Sequence, residues 1–320
     1  MSARMPKVVV VGATYVDIAV RCSRMPQPGE DIAGSEFSYT ATGAGINQSV
    51  QAALCGCEVH LIGKIGSCPF AGTVRAILDQ NRICTEHLYT ARAMNTGVVV
   101  TIVDAVGENA SLTYEGANTA LLAEDIEAAD ELIADADICL VHGRLPKQAV
   151  AKAILSAKLH GTKVIFDPAG AIESTNAENE DALPAECFSA DILIPNLYEA
   201  ALITDRSTAN IRTAKLVASD LIARGAGAAV ITMGKRGCMV VDRKSADHIP
   251  TFLIDLVDST GTGDAFAGAL AAACAVGDDL RDAVKFASAA GALACTKFGS
   301  VEALPAKADI IQLLQKEATE

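Results

Sequence analysis

The chain has 320 residues, 51% of them hydrophobic, and a net charge of −13 from 39 acidic residues against 26 Lys and Arg. That length suffices for one large α/β core with a small appendage. So acidic a chain excludes nucleic-acid binding by a basic surface, and any phosphate must be met by local N–H groups, metal ions or a few cations.

Ten cysteines lie scattered along the chain with no C-x-x-C pair and few histidines near them. They read as buried reduced thiols in a cytoplasmic protein, not as zinc ligands. Residues 7–11 form a short apolar run closing on Gly12, which reads as a strand and not as a signal peptide. No apolar run reaches the length of a membrane span, so no membrane partner is expected.

In chain order, residues 7–11 are a β-branched run predicted as a strand buried on both faces. Residues 18–42, with Pro26, Pro28, Gly29 and Gly34, predict short strands and turns on a partly exposed sheet. A helix is predicted over 46–54, a strand over 59–62 and a helix over 70–80. Strands follow over 98–103 and 111–114, joined by a turn at Gly107-Glu108-Asn109. From there the rhythm is regular. Strands are predicted over 138–141, 163–166, 192–195, 229–232 and 238–241, and helices over 147–159, 210–224, 264–276 and 279–297. Residues 170–184 read as a surface loop. Strands alternating with helices imply a parallel sheet covered on both faces, with its ligand crevice beyond the C-terminal strand ends.

Polar residues gather at those ends: Asp17, Arg144, Asp167, Asn196 with Glu199, and Thr232 with Gly234. The most informative stretch is Asp258-Ser-Thr-Gly-Thr-Gly-Asp264, which runs straight into an apolar helix. A Gly-rich loop at a helix N-terminus exposes free N–H groups that suit a phosphate. A carboxylate beside such an anion hole makes sense if it takes a proton from an attacking hydroxyl. The alternative is that Asp264 caps the helix. A second Gly-rich loop, Thr42-Gly43-Ala44-Gly45-Ile46-Asn47, suits close approach to a polyhydroxy ligand or an ordinary N-cap. Asn196 and Glu199 suit a hydrated magnesium or a helix start. Neither a G-x-G-x-x-G fingerprint nor a Walker A sequence is present.

These pieces, in this order, resemble the ribokinase-like, or PfkB, family of carbohydrate kinases. The matching residues are Val11-Gly12 with Asp17, Pro28-Gly29-Glu30 with Gly34, and Gly43-x-Gly45-x-Asn47-Gln48. Gly107-Glu108-Asn109, Gly116-Ala117-Asn118, Asn196-x-x-Glu199, Thr232-x-Gly234-x-x-Gly237 and Asp258 to Asp264 complete the set. The resemblance implies one α/β domain over 1–320: a mainly parallel central sheet flanked by helices, with a small β-sheet lid from about 18–42 and 97–115. It implies an ATP-dependent sugar kinase with a possible homodimer contact through the lid. Asp264 would be the general base, and Gly261, Thr262 and Gly263 the anion hole. Asp17, Gly43 and Asn47 would bind sugar hydroxyls. Asn196, Glu199, Thr232, Gly234, Gly237 and Ser288 would line the nucleotide, with Glu199 organising Mg²⁺ through water. Asp258 and Thr260, with carbonyls of Ala294, Lys297 and Gly299, match the positions of a monovalent cation, usually K⁺. Asp264, beside a helix N-terminus, is expected to stay ionised at neutral pH.

The chain departs from ribokinases proper at the sugar. They usually carry Asn where Tyr15 stands, Lys at Ala44, Glu at Arg144 and Gly at Thr42. The reversed charge at Arg144 suggests an acidic or phosphorylated sugar, as in kinases of 2-keto-3-deoxygluconate, unless Arg144 is held in an ion pair. A nucleoside kinase, a non-catalytic nucleotide-binding relative and an NAD-dependent dehydrogenase remain as alternatives. The dehydrogenase lacks its fingerprint.

Overall fold

The computed structural model describes residues 4–169, 183–207 and 210–317. The first half runs β1 (Lys7–Val11), β2 (Tyr15–Cys22), β3 (Gly34–Thr42), α1 (Ala44–Leu54), β4 (Glu58–Gly66), α2 (Phe70–Gln80), β5 (Leu88–Ala91), β6 (Gly97–Val103) and β7 (Asn109–Tyr114). Next come α3 (Ala123–Glu127), α4 (Asp130–Ala134), β8 (Ile138–His142), α5 (Lys147–His160), β9 (Lys163–Asp167), β10 (Ile192–Leu193) and α6 (Leu197–Thr204). The chain continues through α7 (Ile211–Ala223), β11 (Ala228–Thr232), β12 (Cys238–Asp242), β13 (Ala246–Ile249), α8 (Thr262–Ala275), α9 (Leu280–Ala294) and α10 (Lys307–Glu317).

Nine strands form one sheet in the order β13-β12-β11-β10-β9-β8-β1-β4-β5. It is parallel from β11 through to β5. β1 shows why its sequence is apolar throughout. Val8 and Val10 join the core under α1, α8 and α9, while Val9 and Val11 join the core under α5 and α7. All four are fully buried, and a strand covered on both faces has no side left for polar residues.

The order reverses between β8 and β1, so the crevice of the sheet opens at their C-terminal ends. The lid is a separate four-stranded sheet, β3-β2-β6-β7, reached from β1 through Gly12–Thr14. Asn118 pins that crossing: Thr14 N–H donates to Asn118 Oδ1 at 2.9 Å, and Asn118 Nδ2 donates to Thr14 O at 2.9 Å.

The structure corrects several details. The strand expected over 192–195 is only Ile192–Leu193, because Pro195 has no N–H to give the ladder. β12 runs antiparallel, since the turn at 233–237 is far too short for a crossover. The short edge strands β5 and β13 and the helices α3, α4 and α10 carry weak patterns and were not predicted. The loop expected over 170–184 falls, except for its last two residues, outside the described residues. No helix among the described residues is long and apolar enough to cross a membrane. All ten cysteines are free, and eight of them are buried.

α8 packs against both α9 and α1, and every residue from Ala265 to Cys274 is buried. Small side chains permit this. Gly268 lies so close to α1 that an added Cβ would stand 2.5 Å from the Gln48 carbonyl oxygen. Alanine would gain about 1 kcal/mol of helix propensity there, but overpacking against a backbone atom costs about 1–3 kcal/mol and moves the helix. Gly268→Ala is therefore expected to lower stability in urea unfolding, with loss of turnover because α8 carries Asp264. Unchanged stability and turnover would contradict this packing.

Candidate active site

Gly261 is the N-cap of α8, in the left-handed region at φ 73°, and provides no side-chain cap. Thr262, Gly263 and Asp264 form the first turn, whose N–H groups have no intrahelical acceptor. Thr262 N–H makes a long contact of 3.4 Å to Ser259 O, and its hydroxyl donates to the same oxygen at 2.8 Å. Asp264 is thus the third residue of the helix and not its cap. Its carboxylate is engaged by α1: Asn47 Nδ2 donates to Oδ2 at 2.7 Å and Gln48 Nε2 to Oδ1 at 3.1 Å. Burial raises the pKa of Asp264, and these two donors pull it back. The direction is upward, which makes Asp264 a stronger base than a free carboxylate.

Behind it, at the end of β9, lies Asp167. Gln48 Nε2 also donates to Asp167 Oδ2 at 2.9 Å, and Ala169 N–H donates to Oδ1 at 3.1 Å. Burial holds the pKa of Asp167 well above the ordinary value, and the charges of Glu199 and Asp264 add to the effect. His142, at the end of β8, is pushed down to about 3 by burial and by the Arg144 charge, so it is neutral at physiological pH. Asn47 Oδ1 and Gln48 Oε1 are buried with no partner among the described residues.

The lid supplies the next wall. Alternation in β2 puts Tyr15 and Asp17 on one face. Asp17 is half-buried, accepts from Thr101 Oγ1 at 2.9 Å, and has its pKa raised by burial. The Tyr15 ring lies between two glycines: a Cβ on Gly43 would meet it at 2.7 Å, and one on Gly97 at 2.6 Å. Gly43 is the N-cap of α1 with φ 107°. The Tyr15 hydroxyl donates to Glu115, and burial together with that carboxylate raises its pKa far above the usual phenol value. Arg144 donates to the same carboxylate, from Nε at 2.9 Å and Nη2 at 2.7 Å. The cation expected to face an acidic substrate therefore has a carboxylate of its own chain against it. Thr42, at the mouth of the loop, shares a hydrogen bond of 3.0 Å with Ser300 Oγ.

Further along the sheet edge, Asn196 caps α6. Its Oδ1 accepts from Glu199 N–H, and Glu199 Oε2 accepts from Asn196 N–H, both at 2.9 Å. Asn196 also bridges to Thr232 at the end of β11. Gly234 has φ 56°, and a Cβ on Gly237 would meet Ile249 O at 2.0 Å. Ser288 of α9 is buried, 3.6 Å from Cys238 Sγ. Asp258 Oδ1 accepts from Thr260 N and Oγ1 at 2.9 and 2.7 Å, and Oδ2 from Gly299 N at 3.2 Å. Burial opposes its ionisation, but these bonds outweigh it and the pKa falls. Ala294 ends α9. Lys297, three residues on, helps line a cleft of about 380 Å³ against α10. Among the described residues no three His, Cys, Asp or Glu side chains cluster as a metal site.

Three contributors carried no role in the sequence reading. Gln48 and Asp167 stood within motifs and at strand ends, but only the fold brings them to Asp264. Glu115 was missed altogether. Its position just before Gly116-Ala117-Asn118 was the one available signal.

The chain matches the pfkB family carbohydrate kinase profile over residues 5–307. It is 35% identical to a ribokinase of Mus musculus over 266 residues, covering 82% of this chain and 80% of that protein. It is 30% identical to a ribokinase of Staphylococcus aureus (strain COL) over 310 residues, covering 96% and 99%. The solved structure of Arabidopsis thaliana ribokinase complexed with ribose and ATP superposes with a TM-score of 0.87 at 24% identity, over 97% of this chain and 99% of that one. The chain belongs to the pfkB family of carbohydrate kinases.

Proposed function

We propose that this kinase transfers the γ-phosphoryl group of ATP to a hydroxyl of a small neutral sugar, with Asp264 as general base. One observation carries the reading: Asp264 sits in the first turn of α8, beside N–H groups that no side chain caps. The carboxylate accepts the hydroxyl proton. The N–H groups of Gly261, Thr262 and Gly263 stabilise the charge that develops on the phosphoryl oxygens.

The sugar is assigned to Asp17, Gly43, Asn47 and Tyr15. The unpartnered Asn47 Oδ1 fits this, since a buried acceptor without a donor suits a ligand hydroxyl. ATP is assigned to the edge formed by Asn196, Thr232, Gly234, Gly237 and Ser288. Magnesium would be held by phosphates and waters, with Glu199 acting through water. The lack of a clustered ligand set among the described residues fits a metal that keeps its waters. Asp258, Thr260 and the carbonyls of Ala294, Lys297 and Gly299 fit a monovalent cation behind the anion hole. Bound there, that cation would supply positive potential where the phosphoryl charge builds. The free thiols suit a reducing, cytoplasmic setting.

A neutral sugar is preferred over a sugar acid because Glu115 offsets Arg144. The test is ADP release from Mg²⁺-ATP and K⁺ with pentoses, hexoses, 2-keto-3-deoxygluconate, sugar phosphates and nucleosides. A neutral pentose or hexose is expected to turn over at least about tenfold faster than any anionic acceptor, a difference of about 1.4 kcal/mol. Faster turnover of a sugar acid would restore Arg144 as an anion contact. Asp264→Asn should lower kcat about 10²–10⁴-fold, and near-normal turnover would end its role as base.

The lid supports a homodimer. Cross-strand register places Phe37, Tyr39, Val100, Leu112 and Tyr114 on one face, opposite the face of Asp17 and Thr101. Phe37 and Leu112 are 66% and 73% exposed, a wide apolar surface for a monomer to leave in water. Light scattering is expected to give a dimer mass, and Phe37→Asp with Leu112→Asp a monomer. A monomeric native protein would refute the contact.

A further inference from the structure

We propose that Gln48 is a positioning residue for the base: its side-chain amide, clamped by Asp167 of β9, aims the Asp264 carboxylate before the sugar arrives. This rests on the reading of Asp264 as the base.

Gln48 is fully buried. Its Nε2 lies 3.1 Å from Asp264 Oδ1 and 2.9 Å from Asp167 Oδ2, so the hydrogens of one NH₂ group serve two carboxylates. The orientation of the amide follows from Asp264, which must be ionised to act as the base: the amide oxygen turned toward it would meet only an acceptor. Among the described residues the amide oxygen itself has no partner. A buried amide that leaves its acceptor empty while giving its donors to carboxylates is kept for those donors. A residue needed only for packing would be apolar, without the desolvation that Gln48 carries.

The clamp has a fixed end. Asp167 Oδ1 takes Ala169 N–H, so a continuous chain of bonds runs from the end of β9 through Asp167 and Gln48 to Asp264. Asn47 holds the other oxygen of Asp264, but Asn47 also stands among the sugar contacts, and its amide is shared with the substrate. Gln48 meets no proposed substrate contact and acts on Asp264 alone. Among the described residues the titratable groups facing the cluster are Asp167 on β9 and Glu199 at the start of α6, both acidic, and His142 of β8, which the sheet register sets beside Asp167 and which burial keeps neutral. Asp264 is the one acidic residue in the first turn of α8, and α1 has none in its own.

The test uses the full-length protein with whichever of D-ribose, 2-deoxy-D-ribose or 2-keto-3-deoxygluconate turns over fastest. Gln48→Leu keeps the bulk and removes the donors. It is expected to lower kcat about 10–100-fold with the KM of sugar and ATP within about threefold, the split that marks loss of an interaction made in the transition state. The acid limb of the kcat/KM profile should move to higher pH, because a donor that favours the ionised carboxylate is gone. Asp167→Leu should show the same loss, and the double variant should be no worse than the poorer single, since the two act as one unit. If Gln48→Leu fails to fold by circular dichroism, the loss of kcat at steady KM in Asp167→Leu carries the test; no upward move of the acid limb is expected there, because the Gln48 donor to Asp264 remains. Turnover within threefold of wild type with an unmoved acid limb, or losses that multiply in the double variant, would overturn the clamp. If those variants behave normally while Asp264→Asn is inactive, only the positioning idea falls. If Asp264→Asn is itself active, the reading beneath it falls.

Discussion

The contact between α8 and α1 governs this molecule. α8 is a helix of small residues because it must lie deep between α1 and α9, and Gly268 lets its backbone touch that of α1 at Gln48. The same approach that packs the core brings Asp264, one turn earlier, against the amides of Asn47 and Gln48. Core density and the geometry of the proposed base therefore depend on one contact. A few tenths of an ångström lost between the helices is lost again between carboxylate and amide. The proposed anion hole shares this dependence, because its N–H groups belong to the same first turn.

The lid shows a second constraint, set by strand periodicity. One sheet face carries Asp17, Thr101 and the Tyr15 ring toward the site, and the other carries Phe37, Tyr39 and Leu112. Strict alternation means that neither face can be changed by sliding a strand without exchanging both. The proposed sugar contacts and the apolar surface thus depend on one register. Tyr15 adds a local condition: its ring needs two glycines, Gly43 and Gly97, to have room.

Much of this was legible in the sequence. Doubly buried strands such as β1 announce themselves by unbroken β-branched runs, and α8 by its loop-to-helix transition at Gly261. Asp264, Asn47 and Asp17 stood out as candidates because each follows a glycine or a strand end in a fixed order. What could not be read was pairing across distance. Glu115 and Arg144 are 29 residues apart and Gln48 and Asp167 are 119 apart. No local pattern marks either pair, since each is brought together only by the folded chain. The reversed charge at Arg144 was visible, and with it two readings, an acidic substrate or an ion pair, but the carboxylate that pairs with it, Glu115, was not. β5 and β13 escaped notice because a four-residue edge strand carries almost no periodicity.

The crossing at Thr14 has a mechanical consequence. The chain passes between main sheet and lid at several points, among them Gly12–Thr14, Gly43 and Gly116–Asn118, and Asn118 ties the first to the last by bonds in both directions. A plate joined to its base by one strap swings freely about it, whereas a plate joined by several short straps bound together behaves as a leaf spring. Movement of this lid must bend all the crossings at once, with small dihedral changes spread over many residues and no single peptide acting as the pivot. Stiffness of that kind favours a shallow, reversible flexing, and it makes the resting distance between Asp17 and Asp264 a property of the whole junction.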